Sequence, residues 1–242
     1  MVRVTLGGAG LDGFAITSPT GHIKLFLPAD GDTEPALPTF GADGIEWPAG
    51  RPRSVMRTYT PRRFDPSRLE LDVEFFLHGV GPASRWAASA TVGDRAAIAG
   101  PGRGYHPDPA AGWFLIAGDE SAIPAIGMIV ESLPEGAPAR VVVEVTSTED
   151  EQPLPRRHGV TTEWLHRDGR QPGELLEETM RGARLPSRNG RAWVAAEASR
   201  IRAIRRHLVT DGHLAPEHVV TRGYWRAGHP DHPDHDYGDT AA

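Results

Sequence analysis

The chain of 242 residues contains no cysteine. That removes disulfides, thiolate metal sites and iron–sulfur clusters together, and it agrees with a cytoplasmic location. Lysine is nearly missing as well: Lys24 is the one lysine beside the many arginines. A bias towards arginine explains the arginines but not the lysine that remains, so Lys24 is a site candidate. No apolar run approaches the roughly 20 residues of a membrane span. The start, Met1-Val2-Arg3-Val4-Thr5-Leu6, has neither the basic nor the apolar region of a signal peptide, so none is expected. Positive charge is in deficit, with a net charge of −6. Nothing therefore invites nucleic acid, and an anionic ligand must be met by a local basic patch.

The composition that is present, 39% hydrophobic and 24% charged, suits a soluble globular protein with a real core. The length allows one large domain or two of ordinary size. Val2-Arg3-Val4-Thr5-Leu6 alternates like a strand and ends at Gly7-Gly8, and Ile23-Lys24-Leu25-Phe26-Leu27 is a second strand stopped by Pro28. Residues 30–53 are rich in Pro, Gly and acidic residues and read as a long surface loop. Strands are expected over 54–60 and 69–77, the latter alternating apolar and acidic residues, and a short one over 96–99. Between the last two, Gly81 and Pro82 suit the cap and first position of a helix, whose free N–H groups at Ala83 and Ser84 would form an anion site. Gly100-Pro101-Gly102-Arg103-Gly104 reads as a hinge or linker rather than a nucleotide loop, because no helix follows it.

From Trp113 the pattern changes. Strands are expected over 113–117, 141–145, 160–165, 192–195 and 219–221, alternating with an amphipathic helix over 121–133 and helices over 172–181 and 197–209. Such alternation implies a parallel sheet with covered faces, which binds ligands beyond the carboxyl ends of its strands. No internal repeat is present. Residues 229–242 are low in complexity and expected to be mobile. The tail's His229, His232 and His235 alternate with aspartates, which are iron-competent ligands, but Pro230 and Pro233 keep it extended and it reads as a solvated end.

Arg57-Thr58-Tyr59-Thr60 carries the most chemistry. On a strand, Arg57 and Tyr59 project together. They offer a planar fork for phosphate oxygens and a ring that can stack on another ring, while Thr60 adds a hydroxyl at the strand end. A flavin nucleotide needs all three.

This stretch occurs in order with Leu77-His78-Gly79, Gly81-Pro82-Ala83-Ser84-Arg85-Trp86-Ala87, Ala117-Gly118-Asp119-Glu120-Ser121-Ala122-Ile123-Pro124-Ala125, Trp164-Leu165-His166-Arg167 and Gly223-Tyr224-Trp225-Arg226. The ordered set resembles the siderophore-interacting proteins, flavin-dependent ferric-siderophore reductases of the ferredoxin–NADP reductase superfamily. The resemblance covers nearly the whole chain. It implies an antiparallel FAD-binding β-barrel over 1–108, a parallel-sheet NAD(P)-binding α/β domain over 109–228, and the tail 229–242 beyond. The family usually has one more barrel strand ahead of the one that opens this chain, so a barrel lacking its first strand, or a start set late, is expected.

Carried over from the family, Arg57 would hold FAD phosphate with Thr58 beside it, Tyr59 would stack on the isoalloxazine, and Thr60 would sit near the reactive ring nitrogen. Ala83 and Ser84 would bind the pyrophosphate, with His78 close by. Gly118, Asp119, Glu120, Ser121 and Glu197 would line the NAD(P)H site, and Lys24, Arg63 and Arg226 would meet the ferric siderophore, with Arg53 and Arg62 as further candidates to attract it. The implied activity is the NAD(P)H-dependent reduction of ferric siderophores through FAD by a monomer, with NADH, NADPH or ferredoxin as donor. No protein metal ligands are needed, because the siderophore brings its own. The alternatives are a general flavin or ferredoxin-linked reductase and a siderophore-binding protein without redox activity. The nucleotide half lacks Gly-x-Gly-x-x-Gly, so the motif does not separate NAD from NADP, and the tail stands where the family often has basic residues.

Overall fold

The computed structural model describes residues 1–41, 44–79, 81–229 and 235–236. The chain forms two compact units, Met1–Gly104 and Tyr105–Ala242.

The first unit contains β1 (Val2–Gly7), β2 (Ile23–Leu27), β3 (Thr39–Gly41), β4 (Gly44–Glu46), β5 (Val55–Tyr59), β6 (Pro61–Asp65), β7 (Glu70–Phe75), α1 (Pro82–Ser89) and β8 (Ala97–Ala99). Two antiparallel three-stranded sheets, ordered β1-β7-β6 and β5-β2-β8, share one core. Ile23, Leu25 and Leu27 of one sheet meet Leu71, Val73 and Phe75 of the other, and Ala83 and Ala87 of α1 close the cluster. The alternation read in the sequence explains this, since every second residue of β2 and β7 points inward.

Two differences from the sequence reading have physical causes. Strand β6 was not expected, because its proline and paired arginines look like a loop. It lies at the edge of its sheet, where a proline at the first position costs no ladder hydrogen bond. The supposed loop 30–53 contains the β3–β4 hairpin. Between β5 and β6, Thr60 is the single residue at which the chain passes from one sheet to the other, and it is buried there.

The second unit contains β9 (Trp113–Asp119), α2 (Ile123–Ser132), β10 (Ala139–Val145), β11 (Val160–His166), α3 (Glu174–Gly182), β12 (Gly190–Glu197), α4 (Ala198–Thr210), β13 (Val219–Trp225) and β14 (His235–Asp236). The sheet order is β11-β10-β9-β12-β13-β14, with the first five strands parallel and β14 antiparallel at the end. One face packs Leu115, Val194 and Ala192 against Leu176 and Met180 of α3 and Ile201, Ile204 and Leu208 of α4. The helix expected to be amphipathic is α2, and it is buried from Ile123 through Val130. Its sequence has no polar residue before Glu131, so it is apolar all round. A short 3-10 turn, Glu120–Ala122, joins it to β9. Most of the His/Asp tail, His232 included, lies outside the described residues; its backbone at 235–236 pairs with Arg222 and Gly223 of β13.

Candidate functional site

In the first unit the site is organised by β5. Register with β2 pairs Tyr59 with Ile23, Thr58 with Lys24 and Arg57 with Leu25. Arg57 and Tyr59 therefore share one face, and Thr58 and Lys24 share the other. Tyr59 packs its ring on Phe75, with centroids 4.4 Å apart, and Phe75 meets Trp86 of α1 at 6.1 Å. Burial pushes the Tyr59 hydroxyl up to about 12, partly opposed by the charge of Arg57. Tyr59 is thus a neutral phenol at physiological pH, with a ring able to serve as a flat platform. Arg57 Nη1 donates to the carbonyl of Met56 at 2.7 Å, which braces the guanidinium along its own strand.

Helix α1 begins with Gly81 as its cap and Pro82 at the first turn, and no side chain caps it. Its first helical hydrogen bond runs from the N–H of Arg85 to the carbonyl of Gly81, 3.0 Å. The amides of Ala83 and Ser84 precede that bond and form the positive end of the helix. A Cβ on Gly81 would come within 2.9 Å of His78 Cε1, so glycine lets His78 fold over the helix start. Phosphate-competent groups, a ring platform and a buried hydroxyl at Thr60 thus occur together in the first unit. They fit a flavin nucleotide.

Thr58 does not share this face. Thr58 is turned to the opposite side, where its Oγ1 accepts from Lys24 Nζ at 2.5 Å. The pleat of the strand dictates that separation. Arg63 is exposed on β6, opposite Asp72 in register. Arg53 lies over the ring of Trp47, 5.8 Å from its centroid. Arg62 is half-buried on β6, and Arg226 is exposed just beyond β13 in the second unit.

In the second unit the strand order reverses between β9 and β12, and sheets of this kind take ligands beyond the carboxyl ends of the strands at such a point. Gly118, Asp119, Glu120, Ser121 and Glu197 all fall there. Their side chains, however, are largely engaged inside the unit. Asp119 accepts from the amide of Ser121 at 3.0 Å and from Trp225 Nε1 at 2.7 Å, which ties the ends of β9 and β13 together. Burial pushes its carboxyl up to about 6, while the bonds from Ser121 and Trp225 pull the other way. Glu197 caps α4, accepting from the amides of Ser199 at 2.7 Å and Arg200 at 3.1 Å, and its other oxygen takes the amide of Ala227 at 3.3 Å. Burial opposes its ionisation, but these bonds together leave its carboxyl below the ordinary value. Glu120 forms a buried ion pair with Arg167 and accepts from Thr146 Oγ1 at 3.0 Å.

Glu144 was not singled out in the sequence, and Arg167 entered only as the last residue of the Trp164-Leu165-His166-Arg167 motif, with no role given to it. Glu144 accepts from the amides of Gly173 at 2.6 Å and Leu176 at 2.8 Å, capping α3, and it also meets Arg167 Nη1 at 3.3 Å. The available signal was an acid within Val141-Val142-Val143-Glu144-Val145, where a fully buried strand has room for no unpaired charge.

Gly118 has a steric role. A Cβ there would lie 2.5 Å from the carbonyl oxygen of Ala195 and 2.6 Å from Ala122 Cβ. Gly118→Ala should therefore lower the stability of the second unit by upward of about 1 kcal/mol, read as a lower urea midpoint. An unchanged midpoint would show that β9 and β12 separate freely.

Comparison with known proteins agrees with this division. The profile described as "Siderophore-interacting FAD-binding domain" matches residues 1–105, and that described as "Siderophore-interacting protein" matches residues 111–228. The chain is 34% identical to the ferric vibriobactin reductase ViuB of Vibrio cholerae serotype O1, over 94% of this chain and 84% of that protein. It is 33% identical to the NADPH-dependent ferric-chelate reductase of Escherichia coli K12, over 93% of this chain and 87% of that one. Among solved structures, a siderophore utilization protein from T. fusca superposes with a TM-score of 0.84 at 34% identity, covering 96% of this chain and 88% of its own. With both units matched and relatives aligned over most of its length, the chain belongs to the siderophore-interacting protein family.

Proposed function

We propose that the protein is an NAD(P)H-dependent flavoprotein that reduces ferric siderophores in the cytoplasm and releases the metal as ferrous iron. The observation that carries this reading is the shared face of Arg57 and Tyr59 on β5. Flavin supplies the conversion of a two-electron hydride into the single electrons that ferric iron accepts. The chain's own tasks are then distinct. Arg57 and the amides of Ala83 and Ser84 bind the cofactor's phosphates. Tyr59 orients the ring from its packed position on Phe75. Thr60, buried at the corner between the sheets, would offer its hydroxyl as a hydrogen-bonding partner to the ring. The crevice beyond β9 and β12 receives the nicotinamide nucleotide, held in shape by Asp119, Glu120 and Glu197 and contacted by the backbone of Gly118 and Ser121. Reduction weakens the chelate, because ferrous iron is a poorer guest for hard oxygen ligands.

Stopped-flow oxidation of the reduced protein by a panel of ferric chelates tests the reading. Ferric siderophores should oxidise it rapidly. Oxidation by free flavins or ferredoxin alone, with ferric siderophores inert, would overturn it.

Lys24 is assigned to docking of the anionic chelate. It lies on the opposite face of the β2–β5 pair from Arg57 and Tyr59, so Lys24→Ala should raise KM for an anionic ferric chelate a few-fold while leaving flavin content unchanged. Unchanged kinetics would make its bond to Thr58 purely structural.

A further inference from the structure

The acids at the ends of β9 and β12 divide their oxygens in the same way. Asp119 Oδ1 accepts from the amide of Ser121 in the short turn after β9, while Oδ2 takes the indole N–H of Trp225. Glu197 Oε2 accepts from the amides of Ser199 and Arg200 and so caps α4, while Oε1 takes the amide of Ala227. One oxygen of each acid thus serves the element that follows its own strand. The other holds the segment that leaves β13.

The course of that segment follows from the sheet order. Strand β12 lies between β9 and β13. Neighbouring strands are about 4.8 Å apart, so β9 and β13 are separated by roughly 10 Å. The bond from Trp225 Nε1 to Asp119, 2.7 Å long, therefore carries the indole across the carboxyl end of β12. In register Trp225 stands beside Glu197, and a bulge at that point gives β13 one residue more than β12. Such a bulge bends the strand that carries it. Beyond it Gly228, at φ +74°, turns the chain back, and the amide of His229 donates to the carbonyl of Arg226 at 3.1 Å.

Where the segment lies gives it a task. The strand order reverses between β9 and β12, and past their carboxyl ends is the place assigned to the donor nucleotide. An indole stretched from β13 to β9 lies across that crevice. None of residues 225–229 is buried, so hydrogen bonds hold the segment more than packing does. Segments with few buried apolar contacts open at low cost.

We propose that residues 225–227 form a strap across the donor crevice, latched by Asp119 and Glu197, which NAD(P)H must displace in order to bind. The inference rests on the donor reading of the second unit. Such a strap lowers the apparent donor affinity in proportion to the fraction of molecules in which it stands open.

Two readouts test it. The first is hydrogen exchange of the full-length, FAD-loaded protein without nucleotide, with NADP⁺ and with NAD⁺. Exchange across 225–229 should become faster with nucleotide bound, at Ala227 foremost because Glu197 releases its amide, while β9 and β12 stay protected. The second is reduction of the bound flavin by NADPH and by NADH. Trp225→Phe keeps a ring but removes the N–H that Asp119 holds, and Ala227→Pro removes the amide that Glu197 holds. Each variant should lower KM for the donor a few-fold and leave the limiting rate unchanged. Slower exchange across 225–229 on nucleotide binding, or a KM that rises or stays the same in both variants, overturns the strap while the donor reading stands. Trp225 is then a fixed wall of the crevice or a contact of the donor. Failure of either nucleotide to bind or reduce the unaltered protein overturns the two together.

Discussion

Arg167→Ala is expected to destabilise the second unit by about 3–5 kcal/mol, the usual cost of breaking a buried ion pair from one side. The residue is only 8% exposed. Its guanidinium bonds both oxygens of Glu120, at 2.9 Å from Nη1 to Oε2 and closely from Nη2 to Oε1. It also donates to Thr146 Oγ1 at 2.6 Å and to Glu144 at 3.3 Å. Glu120 follows β9, Glu144 is the last residue but one of β10 and Arg167 follows β11, so one cation joins the carboxyl ends of three parallel strands. Through Glu144 it also supports the cap of α3. Removing it leaves two carboxylates buried without their cation. Arg167→Lys should recover little, because an ammonium cannot fork between partners. The double variant Arg167→Met with Glu120→Gln should be less unstable than Arg167→Met alone, since it removes one of the stranded charges. Urea unfolding followed by tryptophan fluorescence reads all four variants. If Arg167→Ala unfolds at the unaltered midpoint and loses only donor affinity, Glu120 and Arg167 belong to the nucleotide contact and not to the scaffold.

Arg57→Ala is expected to lower FAD affinity about ten- to a hundredfold, because a charge-assisted hydrogen bond contributes about 1.5–3 kcal/mol. The structure makes this variant informative. Arg57 is half-buried, and its Nη1 donates to the carbonyl of its own neighbour Met56. Tyr59 keeps its packing on Phe75. Arg57→Lys should keep part of the affinity through charge but lose the planar fork. Full retention of flavin by Arg57→Ala at low FAD concentration would remove Arg57 from the phosphate contact and leave that task to the start of α1.

Much of this was legible in the residues. The 2-residue period of β2 and β7 and the apolar runs of β9, β10 and β12 identify an antiparallel unit followed by a parallel one, because the buried face of each strand must be apolar whatever its neighbours are. The cap at Gly81-Pro82 was legible for the same local reason: one glycine and one proline fix the backbone around them. Strand β6 was hidden, since an edge strand tolerates proline and charge and so looks like a loop. The burial of α2 was legible in its composition but read by its ends.

Sequence alone determined the order of the main elements, β3, β4 and β6 excepted, and the shared face of Arg57 and Tyr59, both of which follow from short-range periodicity, and its ordered motifs carried the resemblance to the family. Tertiary structure decided what the acidic side chains do. Asp119, Glu120, Glu144 and Glu197 could each have been ligands, and what engages them comes largely from residues distant in the chain: Trp225, Arg167, Gly173 and Ala227. It also set Lys24 beside Thr58, on the far side of the sheet from Arg57, and it gathered the acidic loop around a cavity beside α1. The physical reason is that a charged group reports its chemistry through its partner, and partners separated by 23 to 106 positions are joined only by the fold.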